Sequence, residues 1–341
     1  MHWSSMNCVP ETSIMREWDS NKPLVSIVSV AYNHGMYIEE AINGFLAQKS
    51  TYPFEIVIYD DASTDNTQQI IVTYYKQYPS IIKPILQEEN QWLGKGINGT
   101  IKFAYPATRG KYIALCEGDD YWTDPYKLQK QVDFLEGNEE YVLCFHPVKI
   151  LEPDGKLVDD YITKVPPNYE ILETMALKGN YIHTPSVVFR NVIHQWPDEL
   201  NYSPLGDYFL YILLGQFGKY HYLNDKMAIY RNGVGIWSTQ QSYEKIWNGL
   251  KSLIAIRQAN IKNNFVYKIL TERIIYLFSD IMNDLDTIRI NEIRKIDFMG
   301  KAIDELFLYR IKDDYSKRVE NISSLKLLKI IIYRFYIKLK F

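Results

Sequence analysis

Three carboxylates fall within four residues at Glu117-Gly118-Asp119-Asp120, and Asp124-Pro125 follows after Tyr121-Trp122-Thr123. Side chains of one charge crowded this closely repel unless something positive sits among them. A divalent cation answers that need, because hard cations take carboxylate oxygens and bridge to phosphates. The competing account is a solvated acidic turn at a strand end. The cluster does close an apolar run, Lys111 to Cys116, that reads as a buried strand.

Two other polar clusters occupy equivalent positions. Pro23 opens the β-branched run Leu24 to Val30, which ends in Tyr32-Asn33-His34-Gly35 and leads into a helical pattern from about Met36 to Gln48. Phe54 to Tyr59 is a second strand, ending at Asp60-Asp61. Ser63-Thr64-Asp65 then offers side-chain oxygens to the free N–H groups of a helix reaching Tyr78. A short apolar stretch, Ile81 to Leu86, precedes the loop Gly94-Lys95-Gly96 and another helix. Alternation at this spacing predicts an α/β fold with a doubly wound, mostly parallel sheet and flanking helices. Such sheets bind ligands at the carboxyl ends of their strands, where all three polar clusters fall.

Beyond Pro125 the pattern continues with a helix from Lys127 to Glu136, strands at Tyr141 to His146 and Ser186 to Phe189, and a helix opened by Gly206-Asp207. Strand signals run from Tyr220 to Arg231, and from Ser242 the chain reads as helical. The expected organisation is a loosely ordered leader over 1–22, an α/β domain over 23–240 and a helical C-terminal region over 241–341.

Bulk properties exclude some partners. The 341 residues suffice for a substantial core. A net charge of −3 argues against nucleic acid, which needs a basic surface. The 28 tyrosines suit a sugar-binding cleft, although a bias towards Ile, Lys and Asn accounts for them equally well. Cys8, Cys116 and Cys144 lack metal-ligand spacing and do not form an even set, which fits a reduced, cytoplasmic setting. Residues 1–21 show no basic patch followed by an apolar core, and no stretch approaches a membrane span.

The stretches Val25-Ser-Ile-Val-Ser-Val-Ala-Tyr-Asn33, Ile58-Tyr-Asp-Asp-Ala-Ser-Thr-Asp-Asn-Thr67 and Arg109-Gly-Lys-Tyr-Ile-Ala-Leu-Cys-Glu-Gly-Asp-Asp-Tyr-Trp122 together resemble the family 2 glycosyltransferases, which have a GT-A fold. The block ending in Asp-Pro-x-Lys-Leu is especially similar to bacterial enzymes that build surface polysaccharides. The resemblance implies a nucleotide-sugar donor, by family default a UDP-sugar, a divalent metal (Mn2+ or Mg2+) and a glycan or lipid-linked glycan acceptor. It places Asp61 on the nucleobase, Tyr32 along the base, Asp119 towards the ribose and metal, Asp120 on the metal and Asp207 as catalytic base. N-capping is the alternative role for Asp207.

Further candidates come with alternatives. Lys95 meets the diphosphate or is simply solvated; Trp122 walls a sugar or acceptor pocket or belongs to the core; His183 faces the acceptor or is packed and satisfied. Related sequences often carry Tyr-Arg-x-His before glycines, whereas this chain reads Tyr230-Arg231-Asn232-Gly233. That leaves Arg231 as a diphosphate contact and Asn232 as a partial substitute for the histidine. The Gln-x-x-Arg-Trp motif of processive synthases is absent, which favours transfer of a single sugar. A sugar-nucleotide nucleotidyltransferase would open with a Gly-rich loop carrying Arg and Lys, and an NAD-binding dehydrogenase with G-x-G-x-x-G; neither follows the first strand. A non-catalytic carbohydrate-binding or scaffold protein is the remaining alternative.

Leu325 to Phe341 interleaves Lys326, Lys329, Arg334, Lys338 and Lys340 with apolar residues and contains no acid. As a helix it would be about 25 Å long, short of a hydrocarbon core of about 30 Å. Leu328, Ile332, Phe335 and Leu339 share one face, which suits an anionic membrane surface at the inner face of the cell membrane. Packing on the α/β domain is the other use for such a helix.

Overall fold

The computed structural model describes residues 9–92, 98–259 and 261–281. Eleven strands occur among them: β1 (Val25–Ala31), β2 (Phe54–Asp60), β3 (Ile82–Leu86), β4 (Tyr112–Leu115), β5 (Tyr121–Trp122), β6 (Tyr141–Phe145), β7 (Lys149–Leu151), β8 (Leu157–Asp159), β9 (Val188–Arg190), β10 (Lys219–Tyr222) and β11 (Ala228–Arg231). Seven form one sheet in the order β10-β6-β9-β4-β1-β2-β3. β1 is central and parallel to both neighbours, in register from Val25↔Phe54 to Ala31↔Asp60 on one side and from Val25↔Tyr112 to Val28↔Leu115 on the other. β9 alone runs antiparallel, between β4 and β6. This is the mostly parallel, mixed α/β sheet that the sequence predicts.

The β-branched composition of β1 and β2 follows from burial on both faces, where strands read as continuous apolar runs rather than alternating ones. Val25, Ile27 and Ala31 of β1 and Phe54, Ile56 and Ile58 of β2 share a core with α2 (Ile38–Leu46), α3 (Thr67–Gln77) and α4 (Lys127–Gly137). Those helices lie within a residue or two of their expected limits.

A second sheet, β5-β11-β7-β8, is not predicted. Its strands are two to four residues long, too short to show a period. The single strand signal from Tyr220 to Arg231 divides between the sheets, with β10 joining the large one and β11 the small one. β5 begins at the last residue of the acidic loop plus one, and β11 ends at Arg231, so the small sheet brings these two points together.

The expected loose leader is instead docked over residues 9–18, which include the short helix α1 (Glu11–Ile14). Ile14, Met15 and Trp18 pack on the core. Trp18 Nε1 donates to Ser50 O at 3.2 Å, Tyr78 Oη donates to Val9 O at 3.0 Å, and Glu11 accepts from Ser80 N and Ile81 N at 2.7 and 3.0 Å.

The compact unit continues past the expected boundary near 240 and runs to Leu270. It takes in α5 (Leu172–Lys178), α6 (Gly206–Leu214), α7 (Ile236–Thr239) and α8 (Ser242–Gln258). Gln241 and Glu244 close a reciprocal capping box at the start of α8, and Ser252 Oγ of α8 accepts from Leu205 N at 3.0 Å. Among the described residues, no helix is long and apolar enough to cross a membrane. The basic tail 325–341 and Lys95 lie outside the described residues.

Candidate active site

The acidic loop leaves β4 at the carboxyl edge of the large sheet. Cys116 N and Gly118 N still bond to Val28 O and Val30 O of β1, so the loop is pinned alongside the β1 exit. Gly118 is required there: a Cβ would come within 2.8 Å of Ile38 Cδ1 and 2.9 Å of His34 Nδ1. Asp120 N returns to Glu117 O at 3.1 Å, closing the turn and bringing the three carboxylates into one group. One oxygen from each of Glu117, Asp119 and Asp120 lies within 4.8 Å of the others.

Asp119 and Asp120 are only 5% and 2% exposed, yet Asp119 Oδ1 and Asp120 Oδ2 have no hydrogen-bond partner among the described residues. A buried, unpaired carboxylate oxygen is among the costliest groups a fold can carry. Burial, then the charges of Asp119 and Glu117, push the Asp120 carboxyl well above the usual range, with Arg231 opposing. Glu117 still meets solvent, but the surrounding protein and then the charges of Asp119 and Asp207 push it up to about 8. These oxygens fit a hard divalent cation, which would satisfy the orphan atoms and offset the repulsion.

Arg231 holds the loop in shape. Its backbone N donates to Asp120 Oδ1 at 2.7 Å, its Nε to Asp119 O at 2.8 Å and its Nη2 to Glu40 Oε2 at 2.6 Å. The guanidinium also lies 4.7 Å from the Tyr37 ring centroid and 5.4 Å from that of Tyr121. Its contacts here are with Asp119 and Asp120 of the acidic loop, with Glu40 and with the two flanking tyrosines. Asn232 donates through Nδ2 to Glu152 Oε2 and Tyr161 Oη at 3.0 and 3.1 Å. The histidine that does approach the acids, His34, was not singled out by the sequence. Burial lowers its pKa against the raising effect of Asp119, Asp65 and Asp60.

The neighbouring turns are built by short polar side chains. Asn33, in the left-handed region at φ 57°, accepts from Thr64 N at 2.8 Å and donates its own N to Ser63 Oγ at 2.8 Å. Asp65 binds Thr67 N and Gly35 N, each at 2.9 Å, so it caps α3 and ties that turn to the one after β1. Asp60 takes the turn role, accepting from Ser63 N and Gln68 Nε2. Tyr32 is half-buried at the β1 exit. Asp61, 7% exposed, receives Tyr59 Oη at 2.7 Å, Gln91 N at 2.9 Å and Trp92 N at 3.2 Å. It fastens the 87–92 segment, with these three hydrogen bonds filling three of about four acceptor positions.

Asp207 stands at the first turn of α6. Its Oδ2 accepts from Asn180 Nδ2 and its Oδ1 from Tyr208 N, both at 2.7 Å. Burial raises its pKa, opposed by those two hydrogen bonds and by His183. The charge of Asp207 acts, after burial and Asp119, to raise the Glu117 carboxyl. His183 is 7% exposed in its side chain, bonded to Asp160 and packed at 4.7 Å against Tyr230.

Trp122 departs from the expected pocket role. It is 1% exposed, bonds Pro185 O through Nε1 at 2.9 Å and packs edge-on against Phe45 at 4.9 Å. The fully buried Lys127 Nζ lies 4.1 Å from its ring centroid, and burial brings that amine down to about 7. Trp122 supports the acidic loop from behind.

Comparison with known proteins agrees with this geometry. An uncharacterized protein of Mycobacterium bovis is 40% identical over 228 residues, 65% of this chain and 63% of that protein, so the match spans less than two thirds of the relative's length. A putative teichuronic acid biosynthesis glycosyltransferase, TuaG of Bacillus subtilis, is 32% identical over 148 residues, 43% of this chain and 54% of its own. The structure of S. aureus TarS residues 1–349 in complex with UDP superposes with a TM-score of 0.56 at 19% identity, covering 83% of this chain and 82% of that one, a likeness of fold. The family description Glycosyl transferase family 2 matches residues 26–196, half of the chain, with the acidic loop and the Asp61 turn inside the match. The chain belongs to glycosyl transferase family 2.

Proposed function

We propose that the protein is an inverting, metal-dependent glycosyltransferase that moves one sugar from a nucleotide-sugar donor, a UDP-sugar, to a hydroxyl of a growing, lipid-linked surface glycan. The observation that carries the reading is the pair of buried, unpartnered oxygens on Asp119 and Asp120 beside the Asp207 carboxylate at one sheet edge. The names of two similar proteins support the substrate classes: TarS was solved with UDP, and TuaG is named for teichuronic acid biosynthesis.

Asp119 and Asp120 would hold Mn2+ or Mg2+, which when bound supplies positive charge against the diphosphate leaving group. Asp61 and Tyr32 receive the nucleobase, with Lys95 at the diphosphate. Asp207 takes the proton of the acceptor hydroxyl as that oxygen bonds to the anomeric carbon. The bond from that carbon to the donor's diphosphate oxygen breaks, and its electron pair leaves with the nucleoside diphosphate. One displacement inverts the anomeric configuration. The raised Asp207 pKa makes it a stronger base but also requires it to stay ionised. The tail 325–341 gives the cytoplasmic enzyme contact with the membrane that carries its acceptor.

Asp207→Asn tests the reading, because the amide keeps the hydrogen bond from Tyr208 N and cannot take a proton. Turnover should fall by about 10²–10⁴-fold, with nucleotide binding retained in a thermal-shift assay containing UDP and Mn2+. In the native protein kcat should decline as pH falls through the raised Asp207 pKa, above the ordinary carboxylate range. Unchanged transfer by Asp207→Asn would overturn the base assignment.

A further inference from the structure

Asp160 follows β8 in the small sheet, and His183 precedes β9 in the large one; neither the acidic loop nor Asp207 accounts for their pairing. His183 Nε2 lies 3.1 Å from Asp160 Oδ2, with the two side chains 7% and 11% exposed. The remaining valences of Asp160 are used locally: Oδ1 accepts from Ile162 N and Thr163 N at 2.8 and 3.0 Å, and Oδ2 also accepts from Thr163 Oγ1. Burial works to raise the Asp160 carboxyl, but hydrogen bonds from His183 and then Thr163 bring it down to about 2. Asp160 is therefore a fixed, ionised acceptor.

An ionised carboxylate only accepts, so the proton on the facing ring nitrogen is assigned to Nε2. No hydrogen bond to Nδ1 of His183 occurs among the described residues, and that nitrogen is not one of the buried unpartnered atoms, so Asp160 and Tyr230 do not seal it in. Its location is also specific. His183 is three residues from Asn180, whose Nδ2 grips Asp207 while its Oδ1 accepts from Ile182 N at 3.0 Å. One short turn thus carries both the partner of the base and the Asp160-held imidazole. Tyr230, the ring against His183, directly precedes Arg231 of β11, whose backbone N donates to Asp120.

We propose that Asp160 is a positioning residue that fixes the tautomer of His183, and that His183 Nδ1 accepts a hydrogen bond from a hydroxyl of the acceptor saccharide beside Asp207. The proposal rests on the glycosyltransferase reading and deepens it. A saccharide offers several hydroxyls of similar reactivity, and a single fixed acceptor atom near the base selects which of them faces it.

The test uses the full chain with UDP- and GDP-linked hexoses as donors and p-nitrophenyl hexosides and N-acetylhexosaminides as acceptors. Asp160→Asn keeps the backbone contacts but presents an amide donor to the ring, so Nε2 must accept and the proton must move to Nδ1. Long-range 1H–15N spectra of histidine-labelled protein should show Nε2–H for His183 in the native chain and Nδ1–H in Asp160→Asn. His183→Phe preserves the packing on Tyr230 without either nitrogen. Each variant should raise the acceptor KM by about tenfold or more, with a smaller change in kcat, and the double variant should be no worse than either alone. UDP affinity should stay within about twofold, as a check on the fold. If Asp160→Asn does not fold, His183→Phe carries the same KM test. An unchanged acceptor KM, or an unchanged tautomer in Asp160→Asn, overturns the inference and leaves the Asp207 reading standing. A native chain that transfers sugar to none of these acceptors overturns the glycosyltransferase reading and this inference with it.

Discussion

Two groups of buried acid sit at opposite ends of the same sheet and are treated in opposite ways. At the amino end, Glu55 of β2 is 1% exposed and fully answered: Lys83 lies at 2.6 Å, Arg109 Nη2 at 2.7 Å, Ser26 Oγ at 2.7 Å and Arg109 N at 2.8 Å. At the carboxyl end, Asp119 and Asp120 are as deeply buried and keep orphan oxygens despite Arg231. Burial acts to raise both the Glu55 and the Asp120 carboxyls, but hydrogen bonds from Lys83, Arg109 and Ser26 leave Glu55 below the ordinary range while Asp120 stays well above it. Charge completed by the protein itself serves stability. Charge left incomplete in a fold that has the means to complete it serves a ligand.

Asp120→Asn attacks the open end and carries the largest effect. The amide oxygen still accepts from Arg231 N, but a metal loses an anionic ligand, so turnover should fall by about 10³-fold in an initial-rate assay with Mn2+. The melting temperature without metal should hold or rise, because one of the repelling charges is gone. A fall in stability would mean that this cluster is structural too, and the contrast would break.

Glu55→Gln attacks the closed end, and its effect belongs to folding. A denaturant titration should show a loss of about 2 kcal/mol, below the value for a fully enclosed pair because Arg109 is half exposed and regains water. The pH dependence sharpens this. The folded pKa of Glu55 is depressed, so its contribution is present above the unfolded value near 4.5 and is lost as pH falls through the lower folded value. Glu55→Gln should flatten the acid-side slope of stability over that window.

The smallest effect lies at the carboxyl end, beside the acidic loop's edge of the sheet. Ala62, next to Asp61, holds φ at 61°, where a Cβ is strained and glycine is not. Ala62→Gly should stabilise by about 0.5–1 kcal/mol, read as a shift in the denaturant midpoint. A loss would mean that the Cβ makes contacts that outweigh the strain.

What the sequence made legible follows the length scale of each feature. β1, β2 and the helices between them were readable because a seven-residue β-branched run and a capped helical pattern each outlast the ambiguity of a few residues. The acidic loop was readable because three carboxylates after a buried strand have few other uses. The small sheet was not readable, since two- and three-residue strands carry no period and exist only through partners far along the chain. For the same reason the three internal partners of Arg231 are not readable in its sequence surroundings. Trp122 had even prospects as wall or core, and only the positions of Phe45, Lys127 and Pro185 decide for core. Asp160 had no local signal at all, because its role is conferred by His183, 23 positions later.

The hydrogen bond from Arg231 to Asp120 spans 111 positions of sequence. During synthesis the strands on either side of Asp61 and the strap of residues 9–18 have their partners early. The acidic loop must wait for β11, on the order of ten seconds at ordinary ribosome speeds of about 5–20 residues per second. Through that interval the nascent chain carries its most repulsive segment without the arginine that shapes it, so the acidic edge is the last part of the sheet to mature.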